Sequence, residues 1–219
     1  MKRKISCFCD FTFEAEIPEE INLDTNPEFI TEILDGIIFT YTCSRCSKKH
    51  KPEFPLMVLW PAKKLRLEVF PELERGTFYR RDKAPVFKDK NVLETVIGYP
   101  EMAERIAIIN DGYDPMVIEA IKYYLYLKAE ENNPDSEVNI WYIKPDSPDE
   151  KNRNSLEFHI HGIRQDEVAK MNIPLSLYNE TRDDYKKHPR EEIYRTLRVQ
   201  SYLSVKNTMR TDPLSSEKD

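Results

Sequence analysis

Apolar and polar residues alternate along FTFEAEI, with Phe11, Phe13, Ala15 and Ile17 set against Thr12, Glu14 and Glu16. A period of two predicts a half-buried strand. The period changes in NPEFITEILDG, where Phe29, Ile30, Ile33 and Leu34 fall on one helical face. Asn26 suits the N-cap, Pro27 the first turn and Gly36 the C-terminal cap. IIFTYT then predicts a strand running into Cys43. LMVLW and LRLEVF predict two more, turned at Pro61. Residues 71–98 predict only a long connection.

Helical spacing returns in PEMAERIAIIN, which puts Met102, Ile106 and Ile109 on one side. The strongest helix follows, capped by Asp114, opened by Pro115 and stopped near Asn132. Val117, Ile118, Ile121, Tyr124 and Leu125 form its expected inner stripe. VNIWYIK and SLEFHIHGI predict a hairpin around the polar loop PDSPDEKNRN. Helices are expected around LSLYNETRDDYKK and across PREEIYRTLRVQSYLSV. Strands, then helices, then strands indicate an α+β fold.

Composition narrows the function classes. The 219 residues are 40% hydrophobic and 33% charged, which is a folded, strongly charged domain. The 5 glycines are scattered, which excludes the glycine-rich loops that cradle dinucleotides and nucleotide phosphates. Residues 1–90 carry 16 Lys and Arg against 15 Asp and Glu, and residues 91–219 carry 17 against 24. No whole-domain basic footprint for nucleic acid results. MKRK leads into a segment too short and acidic for a signal peptide, and no run reaches the length of a membrane span. A cytoplasmic protein is expected, and there paired cysteines serve as metal ligands or redox groups more often than as disulfides.

The 4 cysteines form two pairs, Cys7-Phe8-Cys9 and Cys43-Ser44-Arg45-Cys46. Zinc takes soft thiolate ligands in a tetrahedron, which two close pairs on two loops can supply. Four thiolates around one zinc carry a net charge of about −2. Lys2, Arg3 and Lys4 beside the first pair, and Arg45, Lys48, Lys49 and Lys51 around the second, would offset it. A strand, a helix and a returning strand link the pairs, so the metal would staple the open end of that unit. The alternatives are a thiol redox switch at Cys43 and Cys46, whose spacing is thioredoxin-like, and four unrelated thiols. KKHKPEFPLMVLW after Cys46 is a turn and a strand, not the helix of a thioredoxin-type site.

The cysteine order, the stretch Glu20-Ile21-Asn22, the proline-started helix and the apolar strand after the second pair resemble the CpXC family. GYPEMAERIAIINDGYDPMVIEAIKYYL is similar to its helical half, so the likeness covers residues 5 to about 130. Phe8 and Ser44 stand where the family name places proline, and the first pair is one residue tighter. The resemblance implies a zinc-ribbon-like β unit with an inserted short helix, packed with a helical hairpin and a further β-hairpin. It implies no particular activity. The expected organisation is one domain over residues 1–200, with the zinc unit at about 5–70, a helical and hairpin part at about 95–200, and a flexible tail over 201–219.

Other candidates are weaker. Glu157, His159 and His161 share one face of a strand, opposite Leu156, Phe158 and Ile160. They could bind a catalytic metal, but a solvent face beside an apolar one explains them. His50 could replace a missing thiolate. Asp111 and Asp114 could hold a cation, although helix capping accounts for Asp114. KKHK and RRDK could contact phosphates, yet acids interleave them across the chain. The expected function is a non-enzymatic scaffold with structural zinc at Cys7, Cys9, Cys43 and Cys46 and a protein partner. A nucleic-acid-associated zinc ribbon is the runner-up, ahead of a redox switch or a metal-dependent enzyme at His159 and His161.

Overall fold

The computed structural model describes residues 2–80, 93–132, 134, 137–143, 154–164 and 167–209. The chain is α+β. The chain divides into two compact units, Met1–Ile106 and Ala107–Asp219.

The first unit opens with β1 (Lys2–Ser6) and β2 (Thr12–Glu16), an antiparallel hairpin in which Ile5 faces Phe13. β1 has no sequence signal beyond Ile5, because its other residues are basic or polar. β3 (Glu20–Asn22) leads to α1 (Glu28–Leu34), which buries Ile33. Asn26 does not cap α1 with its side chain: its Oδ1 takes the Thr25 hydroxyl and its Nδ2 donates to Glu28. Gly36 ends the helix at φ +65°, and the N–H groups of Ile37 and Ile38 both donate back to the Glu32 carbonyl. These amides are therefore spent on the helix end. Phe39 turns at φ +52°, and only β4 (Tyr41–Thr42) of the expected IIFTYT strand forms.

β4 pairs with β5 (Lys49–His50) across the second cysteine pair. β6 (Leu56–Trp60) and β7 (Leu65–Phe70) form the expected antiparallel hairpin, turned through Pro61–Lys63 with Lys64 left-handed. The connection from residue 71 contains α2 (Arg75–Tyr79) and β8 (Leu93–Ile97). Residues 81–92 lie outside the described residues, with most of the RRDK cluster. β3 runs parallel to β6, and β7 parallel to β8, which gives the order β3-β6-β7-β8. β6 and β7 alternate buried with half-buried positions until Phe70, so one sheet face is core. α3 (Tyr99–Asn110) follows; of its expected stripe Met102 and Ile106 are fully buried and Ile109 is half-buried.

In the second unit α4 (Pro115–Asn132) is capped by Asp114, whose Oδ1 accepts the Met116 N–H at 2.8 Å. Val117, Ile118, Ile121 and Leu125 are buried, but Tyr124 is half exposed. The buried side spans every residue from Met116 to Lys122 and then narrows to Leu125 and Ala129, which leaves Tyr124 outside it. β9 (Asn139–Ile143) and β10 (Ser155–His161) form the expected antiparallel pair, and its loop, 144–153, lies outside the described residues. β11 (Val168–Pro174) adds an unforeseen third strand at the edge, where all but Ile173 are exposed. Without a buried alternate face it carries no period-two signal. α5 (Leu175–Lys187) starts after Pro174.

The expected final helix is shorter. α6 (Glu192–Thr196) gives way to a small hairpin of β12 (Arg198–Val199) and β13 (Tyr202–Leu203), turned at Gln200 with φ +56°. Tyr202, Leu203 and Val205 are consecutive or near-consecutive core residues, a pattern that an amphipathic helix cannot bury. Residues 202–207, expected in a flexible tail, are thus packed. Leu203 and Val205 join Met116, Ala120, Tyr194 and Leu197 in one cluster. Residues 210–219 lie outside the described residues.

Candidate metal centre

Each cysteine pair sits in the turn of its own hairpin. In the β1–β2 turn the Cys7 N–H donates to the Phe11 carbonyl, the Asp10 N–H donates to the Cys7 carbonyl, and Asp10 adopts φ +62°. In the β4–β5 turn the Cys43 N–H donates to the Lys48 carbonyl, the Ser47 N–H donates to the Cys43 carbonyl, and Ser47 adopts φ +58°. Two tight turns of similar build, the second one residue longer, thus bring their cysteines together. Below them Ile5, Ala15 and Ile17 pack with Phe13, Phe39, Tyr41 and Phe54, and the Tyr41 hydroxyl donates to the Glu16 carbonyl. That apolar cluster fixes the separation of the two hairpins.

The four sulfurs converge. Cys7 and Cys46 lie 3.4 Å apart, Cys9 and Cys43 3.8 Å apart, and all four Sγ atoms fall within 4.8 Å of one another. A tetrahedral ion with metal–sulfur bonds of about 2.3 Å holds its sulfurs about 3.8 Å apart. The observed spacing fits that requirement, and the donor set is all thiol. Cys7 and Cys43 are buried, while Cys9 and Cys46 reach the surface, and none is in a disulfide. The C-x-C spacing of the first pair is therefore no obstacle, because the turn at Asp10 brings both sulfurs to the same side.

The surroundings act in opposite directions on the two buried sulfurs. N–H donation from Cys9 favours the Cys7 thiolate, but burial and hydrogen bonds with the other three sulfurs outweigh it and push Cys7 up to about 12. Burial also opposes ionisation of Cys43, yet the N–H groups of Cys46 and Arg45 and the sulfurs of Cys7 and Cys46 bring it down to about 7. His50 Nε2 lies 3.0 Å from Cys7 Sγ, and its ring lies against Phe8 and Phe13. A ring N–H there would orient and neutralise a thiolate ligand without entering the tetrahedron. The Arg45 guanidinium donates to the Cys9 carbonyl, which ties one turn to the other.

The remaining candidates do not assemble. His159 and Glu157 pair at 2.8 Å with Lys170 3.5 Å from the same carboxylate, and Leu156, Phe158 and Ile160 are buried on the other face. The His159 hydrogen bond holds the Glu157 carboxyl below its ordinary range. Among the described residues this strand forms no metal-ligand group. Asp111 accepts the Tyr142 hydroxyl at 2.7 Å, which explains it structurally. A group missed in sequence is Asp184, His188 and Glu191, whose ligand atoms lie within 4.8 Å of one another. Their spacing of four and three along a helix end was the available signal. His188 and Glu191 are exposed, and Asp184 is engaged by the Tyr194 hydroxyl.

The family model described as CpXC protein matches residues 5–122, the stretch that holds all four cysteines. The chain belongs to the CpXC family. A relative from Treponema pallidum (strain Nichols), described as an uncharacterized protein, is 29% identical over 216 residues, covering 93% of this chain and 97% of its own. No solved structure matches the chain. Among the described residues no helix is long and apolar enough to cross a membrane.

Proposed function

We propose that this CpXC protein is a non-enzymatic interaction module whose first unit is stapled by one structural zinc ion at Cys7, Cys9, Cys43 and Cys46. The observation that carries the reading is the convergence of four sulfurs from two hairpins at the spacing of a tetrathiolate site. All four positions of the tetrahedron are filled by protein, which leaves no open position for substrate or water, and that is the mark of a structural rather than a catalytic zinc site. The two short hairpins carry a small apolar cluster, so metal binding supplies folding free energy that the cluster alone does not. The soft, all-sulfur donor set favours zinc over harder ions.

The test is metal-coupled stability. Chelation under reducing conditions should lower the melting temperature, and added zinc should restore it while magnesium does not. A melting temperature indifferent to chelator and zinc, with one disulfide appearing on air exposure, would contradict the reading and favour a thiol redox switch.

A further inference from the structure

Phe8 stands at the tip of the first cysteine turn with 88% of its surface exposed, in a chain that buries most of its large apolar side chains. Its ring does not pack inward. Its ring neighbour is His50, with centroids 5.7 Å apart and planes tilted by 35°. His50 in turn meets Phe13 at 6.3 Å, and Phe13 stacks on Phe11. The result is a row of rings that ends in an open π face.

Exposed cations stand on the facing cysteine turn. Arg45 reaches the Cys9 carbonyl, next to Phe8, and is exposed, as are Lys48 and Lys49 on the facing turn. Lys48 and Lys49 pair with no carboxylate among the described residues. Asp10 is the one acid in either turn. Lys51 is exposed too, but its ammonium donates to the Gly36 carbonyl.

We infer that the paired cysteine turns form a docking surface for single-stranded nucleic acid, with a base stacked on Phe8 and phosphates on Arg45, Lys48 and Lys49. The inference names the partner class of the module proposed above, and rests on that reading because the clasp holds the two turns together. A protein partner would use an exposed aromatic differently. A protein hot spot needs a surrounding rim that excludes water, whereas the rings beside Phe8 run in a single row through His50, Phe13 and Phe11, and the facing turn offers the exposed polar Ser44 and Arg45. Base stacking needs only a π face with cations within reach of the backbone, and it is tolerant of sequence.

The experiment is fluorescence anisotropy with a labelled single-stranded oligonucleotide of mixed sequence, with zinc content measured on the same reduced sample. Three phosphate contacts predict that log affinity falls with log salt at a slope of about −2. Phe8→Ala should weaken binding about tenfold or more, while Phe8→Tyr keeps it. The Lys48→Gln, Lys49→Gln double variant should weaken binding and flatten the slope by about 1.4. None of these side chains is a ligand, so at saturating zinc the stoichiometry should stay at the wild-type value. Equal binding of a duplex or of polyglutamate, or no effect of Phe8→Ala, would overturn the inference. Zinc-loaded protein that leaves the oligonucleotide free overturns it and spares the metal reading. Metal-free protein that still binds through Phe8 upholds the surface and contradicts the metal reading. Protein that binds neither contradicts both.

Discussion

Cys43 is fully buried and accepts N–H groups from its own turn, so it has the least freedom of the four sulfurs. Cys43→Ser should abolish stoichiometric metal binding and remove most of the metal-coupled stability, which is on the order of 10 kcal/mol in small zinc peptides. His50 acts one step out. His50→Ala keeps all four ligands and should weaken zinc affinity about 10- to 100-fold in competition with a chromophoric chelator. In the second unit Glu157 gives a pH signature. Its folded pKa lies below the ordinary 4.5, chiefly through the His159 hydrogen bond. The stability it adds is therefore present above the ordinary value and lost as pH falls through the depressed one. Glu157→Gln should be less stable than wild type at neutral pH, and the two denaturation midpoints should converge in acid.

At the scale of elements, those with one buried face were legible in the sequence and those without were not. β2, β6, β7 and β10 alternate cleanly because one face meets the core. Asp114 and Pro115 announced α4 correctly, and Asp114→Ala should cost about 1 kcal/mol in chemical denaturation by freeing the Met116 N–H. β1 shares the burial pattern of β2 but was hidden because Arg3, not an apolar residue, takes its half-buried position, and β11 was hidden because all of it but Ile173 is exposed. The C-terminal hairpin was hidden for a different reason, because Ile193, Tyr194 and Leu197 keep a helical spacing up to the left-handed turn at Gln200, which nothing in the sequence announces. Gly162 shows how tightly one such turn is set. It holds φ +91°, and an added Cβ would sit 2.1 Å from the Glu137 carbonyl oxygen. Gly162→Ala must move backbone, and should lower the melting temperature by several degrees.

For the whole molecule, the pairing of cysteines in sequence was enough to name the four residues that converge, since two short-range pairs need only one long-range meeting. What sequence could not supply was the reason the meeting is close: Phe39, Tyr41 and Phe54 pack under the β1–β2 hairpin from distant positions. All four proposed ligands lie in the first of the two compact units, so removal of the metal is expected to be a local event. Hydrogen exchange after chelation should speed up in residues 2–16 and 41–50 and leave β9, β10 and α4 protected as before.

The central claim is that the four sulfurs hold one zinc ion. Native mass spectrometry with elemental analysis, on freshly purified and reduced wild-type protein, tests it most directly. One zinc per chain is expected, held through buffer exchange and lost in Cys43→Ser. A mass equal to the bare chain with four free thiols, and no zinc uptake on addition, would contradict it.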